Sequence, residues 1–556
     1  MTSNESLTEI YARSFADNWD LPALSDYTDS RTLKYSDLAT AIARNHMLFE
    51  AVGIKRGDKI ALIGRNTIDW VVIFMSAVTY GATIVPILSD FTSEDATHIV
   101  NHSGAILLYV DNNIWDSMEF EKMPAIRGVI SVAKGQLLAE HPLNEDIIAK
   151  AIKNLNRRFR SRYKGNYTAS DISYAPSSPD ELAVINYTSG TTGFSKGVML
   201  THHNLWGNVT YGISRRLHYR ASRCLSFLPL AHAFGCAFDM LTPLAAGSHI
   251  TLLGRLPSPR ILLKAFADVK PNLVLCVPLI LEKIYKQQIL PMIVRKPIRW
   301  VLAIPGVDKA LYTIMRRKLV AAFGGEFEEV IVGGAPLNHE VEDFLLRIKF
   351  PFTVGYGMTE CGPLISYTPW RHFIPGSAGQ TLEGFMESRI DSPDPENVPG
   401  EICVRGTNVM RGYYKNPKAT AEVLDSDGWL HTGDMGTRSA DGTLFIKGRY
   451  KTMILSASGQ NIYPEEIEAK LNNMPLVAES LVVERNGRLV ALVYPDYEAM
   501  DHFGITSSQL PDEMEKVRAD LNKIVAPYEQ IDRIQLRASE FEKTPKRSIK
   551  RYLYKD

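Results

Sequence analysis

One stretch narrows the folds open to this chain more than any other. An apolar run, ELAVIN (181–186), leads directly into YTSGTTGFSKG (187–197). Glycines let backbone N–H groups approach an anion, and the serine and threonine hydroxyls add further donors. Lys196 then supplies a mobile positive charge suited to phosphate. The segment reads as a phosphate-cradling loop that springs from a buried strand. It is not a P-loop, because the G-x-x-x-x-G-K-[ST] order is absent. A flexible linker would not normally run on into VMLTHHNL (198–205).

Such a strand needs a sheet, and the flanking sequence predicts one. Residues 33–48 read as a helix and 57–64 (GDKIALIG) as a buried strand. A helix follows from about residue 67, and 82–88, 106–110 and 128–133 read as further short strands. Strands alternating with helices at this spacing predict parallel βαβ units and an α/β fold. Residues 70–88 form a run of 19 without a charge, near the length of a membrane span. Gly81 and Pro86 interrupt it, so a buried helix followed by a strand accounts for it better.

The last hundred residues read as a separate, smaller α+β unit. LVVERNGRLVALVY (481–494) is two apolar runs around Asn486 and Gly487, a type I′ hairpin signal. Helices are predicted at 464–473 and 511–524. The expected organisation is a large N-terminal body of several subdomains, residues 1–448, and a mobile C-terminal domain, residues 449–556. The hinge is placed at 448–451, where the apolar run TLFIKG ends in a basic turn.

Composition excludes some classes of function. With 556 residues, 45% hydrophobic and 22% charged, the chain is globular rather than disordered. Its 62 bases and 62 acids cancel, which argues against a general nucleic-acid coat and leaves no nucleic-acid partner expected. The five cysteines, Cys224, Cys236, Cys276, Cys361 and Cys403, form no C-x-x-C pair and read as reduced intracellular thiols. The start, MTSNESLTEI, shows no signal peptide, so a cytoplasmic location is expected. Two segments are locally basic. Residues 147–170 carry seven bases and no acid, and residues 286–318 carry eight bases against Asp308, together with Trp300, Leu302, Ile304 and Leu311. These are either solvated helical insertions or a peripheral contact with anionic lipid.

Further motifs follow the loop in order: LPLAHAFG (228–235), GGAPL (333–337), GYGMTE (355–360), RGYYKNP (411–417), GWLHTGD (428–434), IKGRYK (446–451) and GQNIYPEEIE (459–468). Together they resemble the adenylate-forming superfamily of AMP-dependent ligases. That superfamily includes acyl-CoA synthetases, peptide-synthetase adenylation domains and firefly luciferase. The resemblance runs from about residue 5 to the C-terminus. It implies a reaction of a carboxylic acid with ATP and Mg²⁺ to give an acyl-adenylate and pyrophosphate, followed by transfer to the thiol of CoA. A carrier-protein phosphopantetheine arm is the alternative acceptor.

The resemblance also implies residue roles. Thr188, Ser189, Gly190, Thr191, Thr192, Gly193 and Lys196 would hold the phosphates. Glu360, in a polar turn after an apolar run, would meet Mg²⁺ with an oxygen ligand beside Thr188. The small Gly333, Gly334 and Ala335, with Pro336, would let a flat adenine lie against backbone, and Gly355, Tyr356, Gly357, Met358 and Thr359 would complete that side. The Tyr356 ring is suited to stacking. Asp434, read as ending the turn HTGD, would bind the ribose hydroxyls with help from Arg449. His232 and Phe234 would form the substrate gate, Lys451 the hinge, and Gly459 part of the pantetheine tunnel.

At the C-terminus the chain departs from that pattern. The family motif resembles P-K-T-x-x-G-K, with a final catalytic lysine. Here EKTPKRSIKR (542–551) places Ser548 at that position, with Lys546, Arg547 and Lys550 adjacent as substitutes. A serine cannot supply the charge, so either a neighbour does or adenylation is weak, and a degenerate acyl or nucleotide sensor is the competing reading. About 45 residues separate VPLILEKIY (277–285) from GGAPL, an insertion that resembles the long-chain fatty acyl-CoA synthetases. A long-chain fatty acid is therefore the expected substrate.

Overall fold

The apolar runs of the first two hundred residues become neighbouring strands. The structure, a computed structural model, describes residues 5–164, 166–188, 196–289, 307–455, 460–544 and 549–554. Lys59–Ile63 lies between Thr83–Ile87 and Leu107–Val110, both parallel to it, and Gly128–Ser131 extends the parallel set. These strands are almost wholly buried, which is why they read as continuous apolar runs and not as alternating ones. Leu182–Thr188 joins parallel to Thr83–Ile87, and Lys196–Thr201 turns back antiparallel to it. Gly412–Tyr413 and Leu137–Glu140 close the two edges of this eight-stranded sheet.

The uncharged run at 70–88 is a buried helix, Ile68–Tyr80, and the strand Thr83–Ile87. Thr67 caps the helix by accepting from the Trp70 N–H, and Gly81 ends it in the left-handed region at φ 86°. No helix among the described residues is long and apolar enough to cross a membrane.

A second sheet has seven strands. Phe352–Val354, Glu329–Val332, Leu273–Cys276, Arg223–Ser226, His249–Leu252 and Pro22–Asp26 run parallel in that order, and Thr32–Lys34 pairs antiparallel at the edge. A third, antiparallel sheet orders Met386–Asp391, Gly400–Gly406, Leu430–Arg438 and Leu444–Arg449. A large apolar core runs through this N-terminal body, and a second, smaller cluster gathers around Ile63, Val85 and Val110.

The small C-terminal domain has its own core, built from Ile467, Leu471, Ala491, Val493 and Leu521 among others. Val477–Arg485 and Arg488–Pro495 form the hairpin, with Arg533–Leu536 parallel to the second strand. Asn486 and Gly487 both take positive φ, 54° and 73°, as a type I′ turn requires. Helices Pro464–Leu471 and Leu510–Ile524 match the predicted ones within a few residues.

One local reading is corrected. HTGD does not end in a turn: residues 430–438 form a strand, and Asp434 pairs directly with Arg449. Cross-strand hydrogen bonding overrides the turn preference of Thr, Gly and Asp. The basic segment at 147–163 is the helix Ile147–Tyr163, which packs on Tyr35–Ala51 through Ala151 and Phe159 and exposes Lys153, Arg157, Arg158 and Arg160. Most of the second basic segment, including Arg295, Lys296, Arg299, Trp300, Leu302 and Ile304, lies outside the described residues. All five cysteines are buried and free.

Candidate functional site

Two strand ends flank residues 189–195. Thr188 closes Leu182–Thr188 and sits directly opposite Lys196, which opens Lys196–Thr201. Opposed residues share a face of a sheet, so a hydroxyl and an ammonium arrive side by side. Ser189, Gly190, Thr191, Thr192 and Gly193 lie outside the described residues.

Gly412–Tyr413 adds to the same ladder, with Tyr413 opposite Val198. The Lys196 Nζ lies 4.7 Å from the centre of the Tyr413 ring. The Tyr413 hydroxyl donates to Glu360 Oε1 at 2.9 Å. A cation–π contact and a charge-assisted hydrogen bond thus join Lys196, Tyr413 and Glu360. Burial, and then the Glu360 charge, raises the pKa of Tyr413, so its hydroxyl stays protonated as a donor.

Glu360 rides on a single 3₁₀ turn, Thr359–Cys361, beside the narrow hairpin of Tyr356–Gly357 and Leu364–Ser366. A Cβ on Gly357 would fall 2.3 Å from the Pro363 carbonyl oxygen, so the close approach of the strands requires glycine there. Buried asparagines clamp the turn. The Leu364 N–H donates to Asn208 Oδ1 at 3.0 Å, and Asn208 Nδ2 donates to the Cys361 carbonyl at 3.1 Å. From the other side, Asn408 Nδ2 donates to the Leu364 carbonyl at 2.8 Å, and the Met410 N–H donates to the Glu360 carbonyl at 2.8 Å.

Asp434 is 7% exposed. The Tyr356 hydroxyl donates to its Oδ2 at 2.7 Å, and Arg449 Nε lies 3.2 Å from its Oδ1. Burial raises its pKa, the Arg449 charge and the Tyr356 hydrogen bond pull it down, and Glu360 and Glu465 add to the rise. The Tyr356 ring is therefore tied by its hydroxyl to the buried Asp434 carboxylate.

Gly333, Gly334, Ala335 and Pro336 follow the strand Glu329–Val332 as a loop. The Gly333 N–H donates to the Cys276 carbonyl at 3.0 Å, and the Gly355 N–H to the Val332 carbonyl at 2.9 Å. The Phe234 ring comes within 3.2 Å of where a Gly333 Cβ would sit, so Phe234 and the small-residue loop touch. His232 is half-buried one turn before Cys236, whose N–H donates to the His232 carbonyl. Met358 and Thr359 sit between Gly357 and Glu360, with Thr359 buried.

Other residues of interest stand apart from this cluster. Lys451 is exposed in the turn Tyr450–Thr452. Lys550 faces Glu542 at 3.7 Å. Gly459, Lys546, Arg547 and Ser548 lie outside the described residues. Sequence reasoning gave no role to Tyr413, Asn208 or Asn408. The motif RGYYKNP carried a signal for the first, but nothing local marked the asparagines.

The arrangement offers one hydroxyl and one carboxylate as hard oxygen ligands, an ammonium beside them, and a buried carboxylate next to an aromatic ring. Glu360 Oε1 is engaged by Tyr413, and a carboxylate has a second oxygen, so the donor set suits Mg²⁺.

Residues 11–414 match the family described as AMP-binding enzyme. The long-chain-fatty-acid–CoA ligase of Escherichia coli O157:H7 is 30% identical over 508 residues, covering 86% of this chain and 83% of that protein. ATP-bound MatB from Rhodopseudomonas palustris superposes with a TM-score of 0.76 at 22% identity, over 98% of both chains. The o-succinylbenzoate coenzyme A synthetase MenE from Bacillus subtilis, in complex with ATP and magnesium ion, gives 0.73 at 21% identity, over 98% of this chain and 99% of that one. The last two likenesses are of fold.

Proposed function

The chain belongs to the AMP-binding enzyme family, and from that premise we propose that it is a long-chain-fatty-acid–CoA ligase. AMP-binding ligases use ATP, Mg²⁺ and CoA. A carboxylate is a poor electrophile, and joining it to AMP turns its oxygen into part of a good leaving group. In the first step a fatty-acid carboxylate attacks the α-phosphorus of ATP, giving acyl-AMP and pyrophosphate. In the second, the CoA thiolate attacks the acyl carbon and AMP leaves.

The observation that carries the proposal is the joining of Lys196, Tyr413 and Glu360 beside the pair Asp434–Tyr356. Lys196 neutralises phosphate charge as it develops. Glu360 and Thr188 would hold Mg²⁺, which supplies Lewis-acid stabilisation of the phosphates when bound. Tyr413 fixes the Glu360 carboxylate. Asp434 accepts from the ribose hydroxyls, with Arg449 balancing its charge. Phe234 and His232 border the acyl entry, with adenine against Gly333, Gly334, Ala335 and Pro336. Lys451 marks the hinge between residues 1–448 and 449–556, and the C-terminal domain turns there between the two half-reactions. The long-chain preference rests on the E. coli relative's name and on the insertion before GGAPL. The helix Ile147–Tyr163 meets anionic lipid, from which such an acid would be collected.

Purified protein with ATP, Mg²⁺ and CoA, supplied separately with palmitate, acetate and o-succinylbenzoate, tests the reading. Each buried methylene is worth about 0.8 kcal/mol, so palmitoyl-CoA formation should exceed acetyl-CoA formation by well over tenfold in kcat/KM. A preference for acetate or o-succinylbenzoate would overturn the chain-length assignment. Palmitate-dependent pyrophosphate release without palmitoyl-CoA would overturn CoA in favour of a carrier-protein acceptor.

A further inference from the structure

Among the described residues, one group of histidine, cysteine and carboxylate ligand atoms converges away from the phosphate cluster. Glu401 and Cys403 lie two apart on Gly400–Gly406, and Cys403 pairs directly with His431 on Leu430–Arg438. Residues two apart on a strand share a face with the residue opposite. The ladder shifts register between Glu401 and Cys403, which draws their side chains together. As a result the Glu401 carboxylate, the Cys403 sulfur and a His431 ring nitrogen all lie within 4.8 Å of one another.

We propose that Glu401, Cys403 and His431 form a binding site for a Zn²⁺-class divalent cation, separate from the Mg²⁺ of the ATP reaction. The Cys403 Sγ is 3.5 Å from His431 Nδ1, and His431 Nδ1 is 2.9 Å from Glu401 Oε2. Tetrahedral Zn²⁺, with bonds of about 2.3 Å to sulfur and about 2.0 Å to nitrogen and oxygen, spaces sulfur from nitrogen by about 3.5 Å and nitrogen from oxygen by about 3.3 Å, so the first pair already has the metal spacing and the second opens by about 0.4 Å. The three-ligand set of sulfur, imidazole and carboxylate suits Zn²⁺ and disfavours Mg²⁺.

The surrounding groups hold the ligands in place. Glu401 Oε1 accepts from the Gly433 N–H at 3.0 Å, leaving Oε2 directed at the histidine. The Asp425 carboxylate lies 4.0 Å from the other ring nitrogen, Nε2, where it can receive the ring proton when Nδ1 exchanges its hydrogen bond to Glu401 for the cation. Arg389, opposite Cys403 on Met386–Asp391, pairs with Asp425 at 3.8 Å. Cys403 is fully buried, whereas the Glu401 and His431 side chains are 26% and 32% exposed, so a solvent molecule can complete a fourth position. Binding releases the thiol proton to solvent.

The site sits three residues from Asp434, on the same strand. A cation there ties His431 to the neighbouring strand and stiffens the segment that carries the ribose acceptor.

The test titrates full-length, metal-free protein with Co²⁺ as a spectroscopic probe in excess Mg²⁺, then adds Zn²⁺. One equivalent of Co²⁺ per chain should give a near-ultraviolet thiolate-to-cobalt band that one equivalent of Zn²⁺ removes. Cys403→Ser should lose the band while melting as the metal-free wild type does, and Zn²⁺ should raise the melting temperature of the wild type alone. His431→Gln should weaken Co²⁺ binding at least about tenfold. Absence of one-equivalent binding, or a band that persists in Cys403→Ser, would overturn the assignment.

Discussion

At the scale of single residues, the site's behaviour turns on Asp434. The ribose contact proposed for its carboxylate needs the ionised form, yet burial raises its pKa, with Arg449 and Tyr356 opposing the rise. Stability from the neutral form is fully present below the ordinary carboxylate range and is lost as pH rises through the raised value. Nucleotide binding has the opposite sign: it weakens as pH falls through that value. Tyr356→Phe removes a hydrogen bond that favours the anion, so the acidic limb of kcat/KM for ATP should move to higher pH. Loss of a hydrogen bond to a charged group costs about 1.5–3 kcal/mol, so ATP affinity at neutral pH should fall about tenfold or more. Unchanged acidic limb and affinity, measured over a pH series, would show that Tyr356 does not support Asp434. This coupling was only half legible in the sequence. Asp434 stood out within HTGD, but its neighbours depend on the register Asp434–Arg449, which no local signal sets. Tyr413 was hidden for the same reason: its place beside Lys196 needs a two-residue strand to join a ladder formed two hundred residues earlier.

Whole elements were easier to read than their partners. Strands buried on both faces betray themselves as apolar runs, and Asn486–Gly487 has backbone freedom that fits one turn type. By contrast, the clamp on the Glu360 turn uses Asn208 from the helix His202–Ser214 and Asn408 from a distant loop, and buried asparagines carry no periodic signature. The helix Ile147–Tyr163 makes its own prediction. Lys153, Arg157, Arg158 and Arg160 point to solvent, with Ile147 exposed at its start and Leu143 exposed just before it. Each base near an anionic surface contributes about 1 kcal/mol. The protein should therefore sediment with vesicles containing phosphatidylglycerol, not with pure phosphatidylcholine, and rising salt should release it. Replacing Arg157, Arg158 and Arg160 together by glutamate should cut the bound fraction about a hundredfold without changing turnover of a soluble acid. Equal binding by that variant would remove this helix as the lipid contact.

For the molecule as a whole, alternating strands and helices predicted an α/β body and a small α+β domain, and the fold has both. The order of the strands was not legible. Pro22–Asp26 precedes the first sheet in the chain yet joins the second, because its apolar face is completed by His249–Leu252, more than two hundred residues away. Between the body and the small domain, Lys447 meets Glu466 at 3.5 Å. The ion pair is partly exposed and worth under about 1 kcal/mol, so it would oppose the proposed turning about Lys451 only weakly. Lys196, Tyr413 and Glu360 come together at the site proposed for carboxylate-dependent cleavage of ATP. Its most direct test is the rate of pyrophosphate release from ATP and Mg²⁺, with and without palmitate, in the wild type and in Glu360→Gln. The account predicts palmitate-dependent release in the wild type and a fall of about a hundredfold in the variant, at an unchanged melting temperature. Release that does not depend on any acid, or a variant as fast as the wild type, would contradict it.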